Sequence, residues 1–157
     1  MKFRLTYSWP TWADALELVE NVRASDRAEV WALGRNSVEN AVTETLMKPG
    51  PRWAARQPDG GLVCIFGFSE LSVLAPTAAP WCIGTDLLNE ESRDLIRMTR
   101  HASQSALYHY DLLWNVVWSE NEKSIRYLKA CGYEIGPEMT TSQGTKYRPF
   151  TMERKDV

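Results

Sequence analysis

Cysteine and histidine side chains carry much of the nucleophilic and metal chemistry of proteins, and this chain has three cysteines and two histidines. Cys64, Cys82 and Cys131 are widely spaced and each lies in apolar sequence, a pattern typical of reduced thiols in a core. His101 and His109 lie in one predicted helix, without the third imidazole or paired thiols of a zinc site. The pattern therefore predicts neither a disulfide framework nor a metal centre.

Tryptophan is the other unusual side chain, with seven copies in 157 residues. Indole rings can stack on nucleotide bases or on an adenine ring, and they also dominate the packing energy of many cores. Most of them lie at helical or strand positions that also carry apolar residues, which favours core or substrate-cleft walls. They are Trp9, Trp12, Trp31, Trp53, Trp81, Trp114 and Trp118.

The net charge of −2 gives no electrostatic footprint for general binding to nucleic acid or to anionic membranes. The N-terminal residues lack the apolar segment of a signal peptide, and no apolar run approaches the roughly 18 residues of a membrane span. We therefore expect a protein of the cytoplasm that has neither nucleic acid nor a membrane among its partners.

The segment from Asp111 to Tyr133 carries the clearest structural signals in the chain. Its apolar run Leu112–Trp118 is interrupted only by Asn115, which predicts a central strand that is covered on both faces. Asn121 can cap the following helix, and Gly132 supplies the left-handed residue that ends it. A strand followed by a capped helix is typical of α/β or α+β proteins.

Periodicity and turn residues predict the other elements. Thr11 with Asp14, and Asp26 with Glu29, have the spacing of a capping box and therefore predict helix starts. The predicted order is a strand at 2–7, helices from 11, 26 and 36, strands at 53–57 and 62–68, a loop or irregular strand at 71–79, a strand at 81–84, a long helix at 89–110, the strand and helix described above, and a strand at 147–154. The length fits one domain, residues 1–157.

The spacing of Asn121, Ser124-Ile125 and Gly132-Tyr133 resembles the C-terminal half of GNAT-superfamily acetyltransferases. There, a strand leads to an Asn-headed helix that ends in Gly-Phe or Gly-Tyr. The fuller string around these residues is similar to the acetyltransferase-like proteins of short-tailed bacteriophages, some of which are internal virion proteins. Residues 81–86 and 150–152 fit the same family. The resemblance implies an α/β (α+β) fold with a GNAT-like mixed central sheet flanked by helices.

The resemblance also implies a place for acetyl-coenzyme A, between two parallel strands that splay apart and against the start of the long helix. The matching cofactor-binding residues are Ile83, Gly84, Thr85 and Asn121. The strand Leu112–Trp118 should then run parallel to the strand at 81–84 and diverge from it toward the C-terminal ends, with Trp114 in the core.

The segment at 84–91 departs from the family's phosphate loop, because it has one glycine and carries Asp86, Glu90 and Glu91. A like charge about 4 Å from a phosphate costs about 1 to 4 kcal/mol near a protein surface. The same carboxylates also have a structural role, since acidic residues in a first turn stabilise the helix dipole. We expect acetyl-coenzyme A to bind weakly or not at all.

The resemblance implies two catalytic residues. Glu70 follows an apolar strand in the region from which the family draws a general base. Leu128 occupies the position of the family's tyrosine acid, and the adjacent Tyr127 points about 100° around the helix from it. Tyr127 is the candidate acid if the rotation of the helix differs. Glu70 and Asn121 also have structural interpretations, as an exposed strand-end carboxylate and as a helix cap.

Three functions remain open on the sequence. The chain is an acetyltransferase that acts on an amine, a protein of this fold that lost the reaction and binds a host protein, or an internal virion component. The last two place the protein in the bacterial host or in the virion, with host or virion proteins as partners. A binding protein should use exposed aromatic residues, for which Trp9, Trp12 and Tyr108 are the candidates.

Overall fold

The computed structural model describes residues 2–155, which form one mixed sheet and five helices. The elements follow in the order β1 (Thr6–Ser8), α1 (Trp12–Asn21), α2 (Ala24–Gly34), α3 (Val38–Met47), β2 (Arg52–Arg56), β3 (Leu62–Ser72), β4 (Thr77–Gly84), α4 (Leu88–Ala106), β5 (Leu112–Trp118), α5 (Glu122–Ala130), β6 (Glu134–Ile135), β7 (Met139–Thr140) and β8 (Lys146–Glu153).

The sheet has eight strands in the order β1-β2-β3-β4-β5-β8-β6, and β7 also pairs with β8. All neighbours are antiparallel except β4 and β5, which are parallel. The strand β5 lies between β4 and β8, so the predicted central position is confirmed. The α+β fold class with a mixed central sheet is confirmed as well.

The strands β4 and β5 pair only at their first residues. Thr77 lies opposite Leu112 and Ala78 lies opposite Leu113, and no further pair joins the two strands in the described residues. Both strands continue beyond this point, β4 to Gly84 and β5 to Trp118. The predicted divergence toward the C-terminal ends is therefore confirmed, and it opens a gap in the middle of the sheet.

Two groups of buried side chains cover the sheet. The larger joins β3, β4 and β5 to α4 and to the end of α5, and the smaller joins β2, β3 and β4 to α1 and α3. Neighbouring residues such as Ala54 and Ala55 belong to different groups, because successive strand side chains point to opposite faces. Helices therefore pack on both faces, and the gap between β4 and β5 lies between them.

The expectation that β5 is covered on both faces is wrong for part of the strand. Leu113 and Val117 are buried, but Trp114 is 42% exposed and is not a core residue. The smaller buried group, on the face opposite Leu113, contains no residue of β5 among those described. An apolar run predicts burial on both faces, yet here no helix covers the second face at Trp114.

The prediction that Asp26 caps α2 is also wrong. The helix begins at Ala24, and the side chain of Asp26 accepts a hydrogen bond from the backbone N–H of Gly84 at 2.7 Å. Asp26 is 4% exposed and pairs with Arg23 at 3.0 Å. Its carboxylate therefore ties α2 to the end of β4 rather than to the start of its own helix.

Other strand and helix boundaries differ from the predicted ones where tertiary contacts determine them. The strand at 2–7 is shortened to Thr6–Ser8, because the N–H groups of Arg4 and Leu5 donate to Asp94 instead. Within the predicted loop or irregular strand at 71–79, residues 73–76 form a turn, and residues 77–79 belong to β4 and pair with β3. The long helix ends at Ala106.

The local helix signals at α1 and α5 are confirmed. Thr11 and Asp14 form a reciprocal capping box at α1, and the side chain of Asn121 accepts from the N–H of Ser124 at α5. Gly132 follows α5 with a φ of 98°, a conformation that glycine adopts without strain. No helix within residues 2–155 is both long and apolar enough to cross a membrane.

Candidate active site

The diverging ends of β4 and β5 enclose a cavity of about 150 Å³, which we call the gap cavity. Its walls include Cys82 on β4, Asn115 on β5, Thr99 on α4, Tyr127 on α5 and Glu29 on α2. Five different helices and strands thus place polar side chains around one space in the centre of the sheet. Within residues 2–155, no cluster of histidine, cysteine or acidic residues has the form of a metal site.

Asn115 joins the two strands at the point where their pairing ends. Its side-chain N–H₂ donates to the carbonyl of Pro80 on β4 at 2.8 Å, and its side-chain oxygen accepts from the N–H of Val116 at 2.8 Å. This explains the single polar residue in the apolar run of β5, because the amide replaces ladder hydrogen bonds that the divergence removes.

The backbone of β4 presents one peptide edge to the gap. The carbonyl of Pro80 and the N–H of Gly84 both point to this side, where they bond to Asn115 and Asp26. Because strand peptide groups alternate in direction, the peptide group of Cys82 points to the same side. An extended ligand lying in the gap can therefore bond to the backbone of Cys82.

Tyr127 contributes a phenol to the gap cavity. Its hydroxyl lies 2.6 Å from the hydroxyl of Thr99, and enclosure of this end of the side chain raises the pKa of Tyr127. The phenol is therefore protonated at neutral pH and can donate a proton. Tyr127 and Leu128 both line the cavity, because a helix buries a face at least about 100° wide.

Glu29 is the acidic residue of the gap cavity, and the sequence predicted only a capping partner at this position. Its two carboxylate oxygens accept from the N–H of Trp118 at 2.7 Å and from the side-chain N–H₂ of Asn121 at 3.1 Å. Burial raises the pKa of Glu29 to about 7. The available signal was the spacing of Arg23, Asp26 and Glu29, which places three charged residues on one helix face.

A second depression, which we call the basic groove, lies between the first half of α4 and α5 and has a volume of about 490 Å³. Three cations line it, namely Arg23, Lys123 and Arg126. Tyr127 belongs to the wall of both the basic groove and the gap cavity. The two spaces are therefore neighbours that share a phenol.

Solved structures share this architecture at low sequence identity. Spermidine N-acetyltransferase from Vibrio cholerae, in complex with CoA and spermine, matches with a TM-score of 0.71 at 13% identity, over 96% of both chains. A GNAT-family acetyltransferase from Bacillus anthracis matches with a TM-score of 0.72 at 10% identity, over 99% of both chains. The yncA protein from Salmonella typhimurium, with its cofactor acetyl-CoA, gives 0.67 at 11% identity, over 98% of this chain and 95% of that one. The chain has the GNAT fold.

No family model matches the sequence, and a search of curated proteins finds no match. Identities this low establish the fold and leave the reaction to be argued from the site. In the GNAT fold, the gap between β4 and β5 is the position that the sequence resemblance assigns to acetyl-coenzyme A.

The residues at the end of β4 that were predicted to bind the cofactor already pack or form hydrogen bonds within the protein. The side chain of Ile83 packs in the smaller buried group, and the N–H of Gly84 donates to Asp26. The hydroxyl and the N–H of Thr85 both donate to backbone carbonyls of β3. Asn121 uses both ends of its side chain, as the helix cap and as the donor to Glu29.

The start of α4 has few free donors for a phosphate. Leu88, Asn89 and Glu90 donate their N–H groups to carbonyls of the preceding turn. A phosphate at this position would have to break those bonds. The residues therefore do not fit the phosphate loop that the resemblance implies, whereas the cations of the basic groove offer a different phosphate site.

The acidic residues of α4 lie on the other side of the helix from the basic groove. Glu91 is 6% exposed and accepts from the side chains of Arg4 and Gln57. Glu90 and Glu91 line a separate depression together with Arg4. These two carboxylates therefore lie outside the lining of the groove, and Arg4 partly offsets their negative charge. The repulsion that they were expected to exert on the coenzyme phosphates is weaker for a phosphate in the groove.

Glu70, the predicted general base, lies outside the gap cavity. It is exposed at the end of β3, and it accepts a hydrogen bond from the hydroxyl of Tyr110 at 2.9 Å. Burial and this hydrogen bond raise the pKa of Tyr110 to about 12. A catalytic role for Glu70 stays a prediction, and it would require the acceptor to approach the far end of β3.

Proposed function

We propose that the protein transfers an acetyl group from acetyl-coenzyme A to an amine. The observation that carries the proposal is the gap between β4 and β5, with the protonated hydroxyl of Tyr127 in its wall and the backbone edge of Cys82 facing into it. Solved proteins of this fold that carry CoA or acetyl-CoA support a coenzyme of this kind.

Each part of the site has a task in this reaction. Acetyl-coenzyme A supplies an activated acetyl thioester. The peptide edge at Cys82 positions the arm of the coenzyme, and Tyr127 holds a proton for the sulfur that leaves. Lys123 and Arg126 provide the positive charge for the phosphates in place of the helix start.

We expect the double substitution Lys123→Ala, Arg126→Ala to weaken the binding of coenzyme A about tenfold. A hydrogen bond to a charged group contributes about 1.5 to 3 kcal/mol, and the exposure of both side chains reduces this toward the 1.4 kcal/mol that corresponds to tenfold. Calorimetric titration of coenzyme A into both proteins measures the difference, which should shrink as salt is added because exposed charges are screened.

Arg93→Ala is the matched control, since Arg93 lies in the depression on the opposite side of α4. It removes a cation from α4 without changing the lining of the basic groove. Equal weakening by Arg93→Ala, or unchanged affinity in the double variant, would contradict phosphate binding in the groove. The sequence-based expectation of weak or absent binding is tested by the same titration of the unmodified protein.

A second candidate function is a GNAT-fold binding protein without turnover, as the sequence resemblance to phage proteins suggests. The supporting observation is the exposure of Trp9, Trp12 and Tyr108, at 60%, 62% and 84%. Host or virion proteins would be the partners. If this function is correct, Trp12→Ala should abolish capture of a partner from bacterial lysate, while no variant affects acetyl transfer because none occurs.

A further inference from the structure

Glu29 is a half-buried residue, and the hydrogen-bond donors of its carboxylate are neutral. The N–H of Trp118 and the N–H₂ of Asn121 bind its two oxygens, and no salt bridge reaches it within residues 2–155. Arg23, the N-cap residue of α2 whose charge acts on Glu29, is paired with Asp26. A buried charge normally has a partner of opposite sign. The carboxylate of Glu29 can therefore pair with a cation that belongs to a ligand.

The position of Glu29 gives such a cation a route. On one side, Glu29 lines the gap cavity together with Tyr127. On the other side of α2 lies a cleft of about 700 Å³ against the β7–β8 hairpin, which we call the hairpin cleft. Ala28 lines this cleft, and so does Trp118, whose N–H binds Glu29. Glu29 thus lines the gap cavity, and its chain neighbour Ala28 and its hydrogen-bond donor Trp118 line the hairpin cleft.

The hairpin cleft has the features of an acceptor site. Trp31 and Trp118 offer indole faces, and Glu120 and Glu138 offer carboxylates. Arg35 and Lys146 add positive charge to the same lining, and the guanidinium of Arg35 lies 5.7 Å from the ring of Trp31. Cations bind to both indole faces and carboxylates. The basic groove, by contrast, has three cations and no carboxylate in its lining.

We propose that Glu29 binds the ammonium group of a primary amine acceptor that enters through the hairpin cleft, and that Glu29 accepts the proton which the amine must lose. The inference rests on the proposed function, because the amine needs the acetyl thioester in the gap. The coenzyme and the acceptor then reach the gap from opposite sides, through the basic groove and the hairpin cleft.

The bonds and protons of this transfer balance. The ammonium gives one proton to Glu29, and its nitrogen forms a bond to the acetyl carbon. The carbon–sulfur bond breaks with its electron pair on sulfur, which takes the proton of Tyr127. The phenol recovers a proton from the same nitrogen. The products are an acetamide, a thiol and one proton on Glu29, which passes to solvent.

The protonation behaviour of Glu29 suits this role. Burial raises its pKa to about 7, where a general base is most effective at neutral pH. The groups that surround it are Arg23 just before α2 and Asp26 on α2, with Cys82, Tyr127 and Tyr133 across the gap cavity. Arg23 lowers and Asp26 raises the pKa of Glu29. The proton affinity of the site is therefore set mainly by enclosure.

Glu29→Gln tests the inference in assays of acetyl transfer to spermidine, L-lysine and benzylamine. We expect kcat/KM to fall about 100-fold with the accepted amine, while calorimetry shows the affinity for coenzyme A to be unchanged. In the unmodified protein kcat/KM should rise with pH up to about 7 and then level off, and Glu29→Gln should lose this rise. A purely structural role for Glu29 would not move the pH profile.

Two further variants separate the alternatives. Glu44→Gln, on the exposed surface of α3, should behave as the unmodified protein. Glu29→Asp keeps the charge and should retain part of the rate and the rise with pH, even if Glu29→Gln folds poorly. If Glu29→Asp and Glu29→Gln both keep the full rate and the pH profile, or if Glu70→Gln alone loses them, the inference is overturned. If the unmodified protein neither binds coenzyme A nor acetylates any of the three amines, the proposed function fails with it.

Discussion

Replacing Tyr127 with phenylalanine is expected to lower kcat for acetyl transfer about 100-fold or more, because a general acid contributes about 10² to 10⁴ to the rate. The substitution removes the hydroxyl that lies 2.6 Å from Thr99 and keeps the ring that separates the gap cavity from the basic groove. The affinity for coenzyme A should change little. Steady-state kinetics and calorimetric titration of the same preparation measure the two quantities.

Thr99→Val is the control for this prediction. It removes the hydrogen-bond partner of Tyr127 but keeps the phenol and the volume of the side chain. A small loss of rate is expected, because the phenol stays protonated through its raised pKa. If Thr99→Val slows transfer as much as Tyr127→Phe, the hydroxyl acts only through positioning. An unchanged rate in Tyr127→Phe would remove the general acid from the mechanism.

Local signals in the sequence predicted much of the fold around the site. A helix cap and a helix stop depend on neighbouring residues, so Asn121 and Gly132 could be identified from their own segment. The apolar run of β5 predicted its central place. Its single polar residue, Asn115, lies where the strands separate, and neither that point nor the bond to Pro80 could be anticipated.

The charged residues of the site could not be predicted in the same way, because their partners are far along the chain. Asp26 and Glu29 have the spacing of a capping box, yet Asp26 bonds to Gly84, 58 residues later, and Glu29 bonds to Asn121, 92 residues later. The spacing of a capping box is also the spacing of two residues on one buried face of a helix. Only the packing of α2 against the gap distinguishes them.

The expected repulsion at the coenzyme phosphates has a similar origin. Sequence places Glu90 and Glu91 in the first turn of a helix but does not say which way they face. Glu91 faces Arg4, 87 residues earlier, on the side away from Lys123 and Arg126. A charged residue that is close to a site in the sequence therefore does not by itself determine the electrostatic potential at that site.

Replacing Asp26 with alanine is expected to lower the free energy of unfolding by about 3 to 5 kcal/mol, because breaking a buried ion pair leaves an unpaired charge. Arg23 and Asp26 are 8% and 4% exposed, and their ion pair spans 3.0 Å. The substitution also removes the acceptor of the Gly84 N–H. Urea denaturation near neutral pH measures the loss.

The double variant Arg23→Ala, Asp26→Ala tests whether the loss comes from the pair. Removing both charges leaves no unpaired ion, so the double variant should be destabilised by less than the sum of the two single substitutions. The Gly84 N–H stays without its acceptor in Asp26→Ala and in the double variant alike, so its cost cancels in the comparison. Strictly additive losses would show that Arg23 and Asp26 do not stabilise each other. The end of β4 would then be held by the hydrogen bond from Gly84 to Asp26 and by the one from the N–H of Arg23 to the carbonyl of Gly84. The ion pair would contribute nothing to keeping α2 against the gap.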